Sequence, residues 1–263
     1  MVIEVMKEVK NVLITGGLGG IGLNICKLFI KDHNVIIVDN KLPNKSFAKK
    51  LSDINKKNLI LYKKIDLEKT SQIKNLFQQL KKKFSSIDIL INCAGIQHLS
   101  SVENFSEEMW EKVISINLSS SFYTSKYAIP LMRKNKWGRI INIASTHGLV
   151  ASVNKSAYVA SKHGMIGLTK TIALETATSP ITCNAICPGW VDTPLVSRQI
   201  EQIVKKNKTS RKKEELNLLK EKQPNLSFIK GSDIAALAYF LCTDEAKDIT
   251  GSSINIDGGW TSQ

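Results

Sequence analysis

Short runs of β-branched and aliphatic residues alternate along the chain with longer stretches of helical period. The runs at 11–15, 34–39, 59–65, 88–92, 139–144, 181–186 and 253–257 include several that are almost wholly apolar, the pattern of strands covered on both faces. Between them, residues of helical period predict helices near 20–31, 69–84, 106–134, 156–176 and 232–242. Strand and helix alternating this regularly give an α/β fold, a doubly wound parallel sheet of about seven strands with right-handed crossovers. No repeat, low-complexity tract or linker divides the chain, so 1–263 reads as a single domain.

The rhythm breaks once. About forty residues between Pro188 and Gly231 are charged and helical in character, with Pro194 early and Pro224 late. An excursion of that length at one end of a sheet is expected to be a helical substrate lid over 190–224, the alternative being a peripheral helical pair.

Composition then narrows the class. A hydrophobic share of 43% with 23% charged residues is that of a globular chain and argues against extensive disorder. The five cysteines, Cys26, Cys93, Cys183, Cys187 and Cys242, match neither a disulfide framework nor a CxxC pair, so no metal site and a reducing, cytoplasmic setting are expected. The first ten residues are too charged for a signal-peptide core, and no apolar run approaches the roughly 18 residues of a membrane span. The formal charge of +14 raises nucleic acid as a partner. The densest basic stretch, Lys205 to Lys222, lacks interleaved aromatics and is interrupted by Glu214, Glu215 and Glu221. It reads as a solvated helical face, with attraction of an anionic ligand as the alternative, and neither a nucleic acid nor a membrane is expected as partner.

Two local patterns carry chemistry. Directly after the first strand stands Thr15-Gly16-Gly17-Leu18-Gly19-Gly20-Ile21-Gly22, then a helical pattern. Glycines let a pyrophosphate approach the backbone, and the helix N-terminus offers unpaired N–H groups. Both Gly17-x-Gly19-x-x-Gly22 and Gly16-x-x-x-Gly20-x-Gly22 fit such a loop. Asp39 ends the second strand about twenty residues on, where a carboxylate accepts the ribose hydroxyls of NAD and repels the 2′-phosphate of NADP. Further along, Tyr158 and Lys162 stand four apart on one helical face. An ammonium beside a phenol favours the tyrosinate, which would let the side chain exchange protons near neutral pH.

Taken with their neighbours, these residues resemble the short-chain dehydrogenase/reductase family over essentially the whole chain. The family glycine motif TGxxxGxG is met by Thr15, Gly16, Gly20 and Gly22, with Ile21 inside it, which favours the second register. The NNAG motif appears as Asn92-Cys93-Ala94-Gly95, with Cys in place of the second Asn, and Asp66 matches the adenine-binding Asp. Pro188, Gly189, Val191 and Thr193 match the segment that lies along the nicotinamide. The resemblance implies a Rossmann-type domain, NAD as cofactor, and Asn117, Ser145, Tyr158 and Lys162 as the catalytic set. Tyr158 would be the general acid/base, Lys162 would lower its pKa and hold the nicotinamide ribose, and Ser145 would bond the reacting oxygen. Asn117 would interrupt its helix and hold a water leading from Lys162 to solvent.

The stretches 138–164, 184–196, 221–224 and 257–261 are similar, more narrowly, to the D-3-hydroxybutyrate dehydrogenase subfamily. That similarity implies a small carboxylate substrate, 3-hydroxybutyrate or acetoacetate, held by Gln97, His147, Lys155 and Gln199, with Trp190 and Trp260 beside Ser145 and Tyr158. It also implies a homotetramer. Asp192, where the subfamily commonly has an apolar residue, adds negative charge near an anionic substrate. The rivals are an NADPH-dependent 3-oxoacyl-thioester reductase, for which Leu18 and Asp39-Asn40 supply no basic residue, and a regulatory module on an inactive scaffold.

Overall fold

In the computed structural model, which describes residues 8–262, every apolar run becomes a strand of one sheet. The strands are β1 (Asn11–Thr15), β2 (Asn34–Asp39), β3 (Ile60–Lys64), β4 (Ile89–Asn92), β5 (Gly138–Ile143), β6 (Ile181–Pro188) and β7 (Ser253–Ile256). Their order is β3-β2-β1-β4-β5-β6-β7, and each neighbouring pair is parallel. Successive side chains on a strand point to opposite faces. Val12 and Ile14 therefore join Phe29 and Ile234 in one core, while Leu13 joins Leu76 and Ile140 in the other. Helices cover both faces, as a continuous apolar strand requires.

The helices are α1 (Gly20–Phe29), α2 (Lys45–Ser52), α3 (Thr70–Lys83), α4 (Glu107–Ile114), α5 (Ser120–Asn135), α6 (Ser156–Thr176), α7 (Pro194–Asn207), α8 (Arg211–Lys222) and α9 (Gly231–Phe240). Two differ from the sequence expectation. α2 was not predicted: it is short and lysine-rich and buries only Leu51, although Asn44 caps it by accepting from Phe47 N at 2.9 Å. The single helix expected at 106–134 is two, α4 and α5, joined by a π turn at Ser115–Ser119. The excursion after β6 is a helical pair, α7 and α8, whose Val196, Ile200 and Leu219 pack on Trp190 and Trp260. The chain order changes direction between β1 and β4, so the carboxyl ends of these strands open a crevice, the usual ligand position in such a sheet. Among the described residues no helix is long and apolar enough to cross a membrane.

Candidate active site

A cleft of about 830 Å3 opens at that crevice. Its floor is the turn after β1, where Gly16 takes φ +65° and donates its N–H to Val38 O at 2.8 Å. Gly22 crosses so close that a Cβ there would lie 2.2 Å from Gly16 O, so only glycine lets α1 begin at this point. The N-cap of α1, Gly19, has no side-chain cap, which leaves first-turn N–H groups and the positive dipole end facing the cleft with Gly20 and Ile21. Asp39 lines the far wall and is fixed by Leu18 N at 3.0 Å and Asn40 N at 2.9 Å, one bond to each oxygen, leaving lone pairs for ligand hydroxyls. Asp66 and Gly95 line it as well. An uncapped helix start, a cradle that a Cβ would fill and a carboxylate at the ribose end fit a dinucleotide.

The catalytic candidates sit where β4, β5 and α6 converge. Helical spacing puts Tyr158 and Lys162 on one side of α6, with Lys162 Nζ 5.7 Å from the Tyr158 ring centroid. Lys162 is buried and donates to Ile143 O at 2.8 Å. Burial lowers its pKa from the usual 10.5 to about 8. Burial also raises the Tyr158 phenol above its ordinary value, only partly opposed by its hydrogen bond with Ser145. The Lys162 ammonium is turned onto the Ile143 carbonyl rather than onto the phenol oxygen.

Asn117 sits inside the π turn, fully buried. Its Oδ1 accepts from Ile96 N at 2.9 Å, and its Nδ2 donates to Ile96 O at 3.0 Å and Ser161 Oγ at 3.2 Å. Both amide hydrogens are used, so the side chain pins the 95–97 segment to α6 and keeps one Oδ1 lone pair free. The helix widens there to let the side chain reach across, as π turns at functional sites do.

Beyond Tyr158 lies a cluster of buried side chains. Ser145 follows β5, and its hydroxyl accepts from His147 N at 3.1 Å. The His147 ring stands edge-on to Tyr158 and Trp260, at 5.8 and 5.2 Å between centroids, and its Nε2 meets Ser152 Oγ at 3.0 Å. Burial first, then the Lys155 cation, lowers His147 to about 3, so it is a neutral hydrogen-bonding group at neutral pH. Trp190 and Trp260 stack at 5.7 Å, and Lys155 Nζ lies 4.8 Å from the Trp190 ring centroid. Lys155 is 6% exposed, with no ion pair to any described residue. Burial lowers its pKa to about 8, against the pull of Glu221.

A model of the family described as "short chain dehydrogenase" matches residues 10–203. The chain belongs to the short-chain dehydrogenase family. The D-beta-hydroxybutyrate dehydrogenase of Cupriavidus necator is 42% identical over 254 residues, covering 97% of this chain and 98% of that protein. The enzyme of the same name from Rhizobium meliloti is 42% identical over 257 residues, covering 97% of this chain and 99% of its own length. A solved structure titled 4-hydroxyisoleucine dehydrogenase complexed with NADH superposes with a TM-score of 0.86 at 36% identity, covering 97% of this chain and 99% of that one.

Within this short-chain dehydrogenase, the residues expected at the site do not all reach it. Gly16, Gly20, Ile21, Gly22, Asp39, Asp66, Gly95 and Thr193 line the cleft. Thr15 does not: its Oγ1 accepts from Cys93 N at 3.1 Å and Ala94 N at 3.2 Å, tying β1 to the turn after β4. Asn92 is buried in a polar core, donating to Asn142 Oδ1 at 2.8 Å and accepting from Thr124 Oγ1 at 2.7 Å. Pro188, Gly189 and Val191 likewise do not line it; their backbone extends the strand end, with Gly189 N on Ile256 O at 3.1 Å and Val191 bridged to Ile229. Gln97 and Gln199 line the open cleft, whereas His147 and Lys155 lie in the buried cluster, so the expected carboxylate set is divided between the two. Asp192 is exposed to solvent. Sequence reasoning missed Arg198, which lines the cleft one turn into α7 and has no motif to mark it.

Proposed function

We propose that this chain is an NAD-dependent dehydrogenase interconverting D-3-hydroxybutyrate and acetoacetate. The observation that carries the reading is Lys155, a buried ammonium with no ion pair among the described residues, which lies against Trp190 and beside the cluster in which His147 contacts Tyr158 and Ser145. A buried charge left unpaired is costly, and a carboxylate supplied by the substrate removes that cost. The relatives named D-beta-hydroxybutyrate dehydrogenase, matched over nearly the full length, support the same assignment.

In the reduction direction the Tyr158 phenol, kept protonated by burial, donates its proton to the carbonyl oxygen. Ser145 donates a hydrogen bond to that oxygen and stabilises the charge that develops on it. Lys162 stabilises the tyrosinate left after the transfer and holds the ribose, a proton from solvent returns to the phenol to close the cycle, and Asn117 keeps the intervening segment in register. A bound nicotinamide supplies the hydride in this direction and accepts it in the other. Asp39 favours NAD over NADP, since a carboxylate repels a 2′-phosphate. Lys155 and neutral His147 orient the carboxylate, with Gln97 and Gln199 completing the set as α7 and α8 close over it. On this reading the enzyme works as a homotetramer in the cytoplasm. The test is NADH formation with D-3-hydroxybutyrate against L-3-hydroxybutyrate and lactate. Turnover of the D-isomer alone is expected; equal rates with lactate would sink the assignment.

A further inference from the structure

Gln223 is fully buried directly after α8, 33 residues from the strand end it touches. Its Oε1 accepts from Trp190 N at 2.8 Å, and its Nε2 donates to Ser227 O. The fit around it is tight: a Cβ on Gly189 would lie 2.5 Å from Gln223 Oε1 and 3.0 Å from Asp257 Cα.

The bond answers a local need. The β6–β7 ladder ends at Pro188 opposite Ile256, with Gly189 N on Ile256 O as its last rung. The next N–H, that of Trp190, has no strand partner, and a buried backbone donor requires an acceptor. Trp190 O is held separately by Ile229 N at 2.8 Å. The residue fixed in this way carries the indole that stacks on Trp260 and lies against Lys155 Nζ.

We propose that Gln223 is a positioning residue for the reaction: by holding Trp190 N–H it sets the indole wall against which the Lys155 ammonium meets the substrate carboxylate. This rests on the carboxylate reading above. The far end of the α7–α8 pair is thereby mechanically tied to the substrate pocket. An amide serves here because the site needs one acceptor and one donor on the same group, directed at Trp190 N–H and Ser227 C=O. A protonated carboxyl has the same pair, whereas a carboxylate lacks the donor.

Two variants test it. Q223M keeps the length and removes both polar groups. With NADH binding unchanged, it should raise the KM for acetoacetate about tenfold while changing kcat less, as expected for loss of one buried hydrogen bond. The Trp190 amide should also lose hydrogen-exchange protection in the enzyme without substrate. Q223E supplies the pH readout and covers the case in which Q223M does not fold. Its acid form mimics the amide, so KM and Trp190 protection should match the wild type at low pH. Both should be lost as pH rises through a carboxyl pKa that burial lifts above about 4.3. Glu221 and Lys222 precede this position in the chain, Asp257 packs with it against Gly189 and Lys155 lies against Trp190 in both proteins, so the wild-type profile at each pH is the reference. Wild-type protection at Trp190 in Q223M, or lost protection with an unchanged KM, would overturn the proposal, as would a Q223E profile parallel to the wild type. A wild-type enzyme that ignores acetoacetate would overturn the substrate reading and, with it, the substrate-positioning role. The exchange data would still decide separately whether Gln223 holds Trp190.

Discussion

The dinucleotide cleft, lined by Gly95, is an open concavity floored by loop backbone, whereas the buried cluster under α7 and α8, which reaches Tyr158 through His147, is built of side chains. His147, Lys155, Trp190 and Trp260 are each less than a tenth exposed. The cleft is preformed: its recognition elements are N–H groups at the start of α1 and a carboxylate held by two backbone bonds. The buried cluster is covered by apolar packing of Val196, Ile200 and Leu219 on the two tryptophans. Cofactor binding therefore costs little rearrangement. On the proposed reading, substrate binding would give the buried Lys155 cation an ion-pair partner, and closure would be worth most with a carboxylate inside.

The largest expected effect lies at the boundary between the two regions. Tyr158→Phe removes the transferable proton and should lower turnover by about 10²–10⁴. NADH binding, followed by its fluorescence, should persist; a mutant keeping a tenth of wild-type turnover would identify a different acid. Next comes the pocket. Lys155→Ala should lower kcat/KM for acetoacetate by roughly thirtyfold to several thousandfold, corresponding to about 2–5 kcal/mol for a broken desolvated pair. Methyl acetoacetate, which has no carboxylate, should respond far less; the same loss with both substrates would refute charge recognition. The pH dependence has a definite sign. Recognition needs the ammonium, and burial brings Lys155 down to about 8, so affinity for acetoacetate should fall as pH rises through about 8. Lys155→Ala should abolish that limb.

On the cleft side, Asp39 should give NAD at least about a tenfold advantage over NADP in kcat/KM, about 1.4 kcal/mol. Kinetics with both cofactors check this, and Asp39→Ser should narrow the ratio. The smallest effect is one of stability. A lysine whose folded pKa is lowered is destabilising while it is charged; that cost is fully present below about 8 and relieved as pH rises towards the unfolded value near 10.5. Lys155→Met should therefore raise the Tm of the substrate-free enzyme at pH 7 by about 2–4 °C per kcal/mol recovered, while abolishing carboxylate binding. A lowered Tm would mean that Lys155 has a stabilising partner in solution.

How much of this was legible in the sequence follows from the range of each interaction. The strands could be read because a strand covered on both faces must be apolar at nearly every position, as at Val35–Val38. The phosphate loop could be read because the contact of Gly22 with Gly16 spans six residues, and the Tyr158–Lys162 pair because helical spacing alone brings the two together. Local sequence also marked α6 correctly at Ser156–Thr176. It gave less warning of α2, whose stability comes from an Asn44 cap and one buried leucine rather than from an apolar stripe.

What only the tertiary structure decided are matters of long-range pairing. Thr15 and Asn92 belong to a motif string that the family resemblance places at the cofactor, but their partners, 78 and 50 residues away, turn them inward to join strands. The widening of the helix at Asn117 is set by Ile96 and Ser161, 21 and 44 residues distant. The division of Gln97 and Gln199 from His147 and Lys155, and the hold of Gln223 on Trp190, depend on where α7 and α8 come to rest. A sequence pattern records which side chains an element carries, because periodicity is local. It does not record which unpaired donor at a strand end a distant amide will satisfy, because that choice is made only when the packed core brings the two within 3 Å of each other.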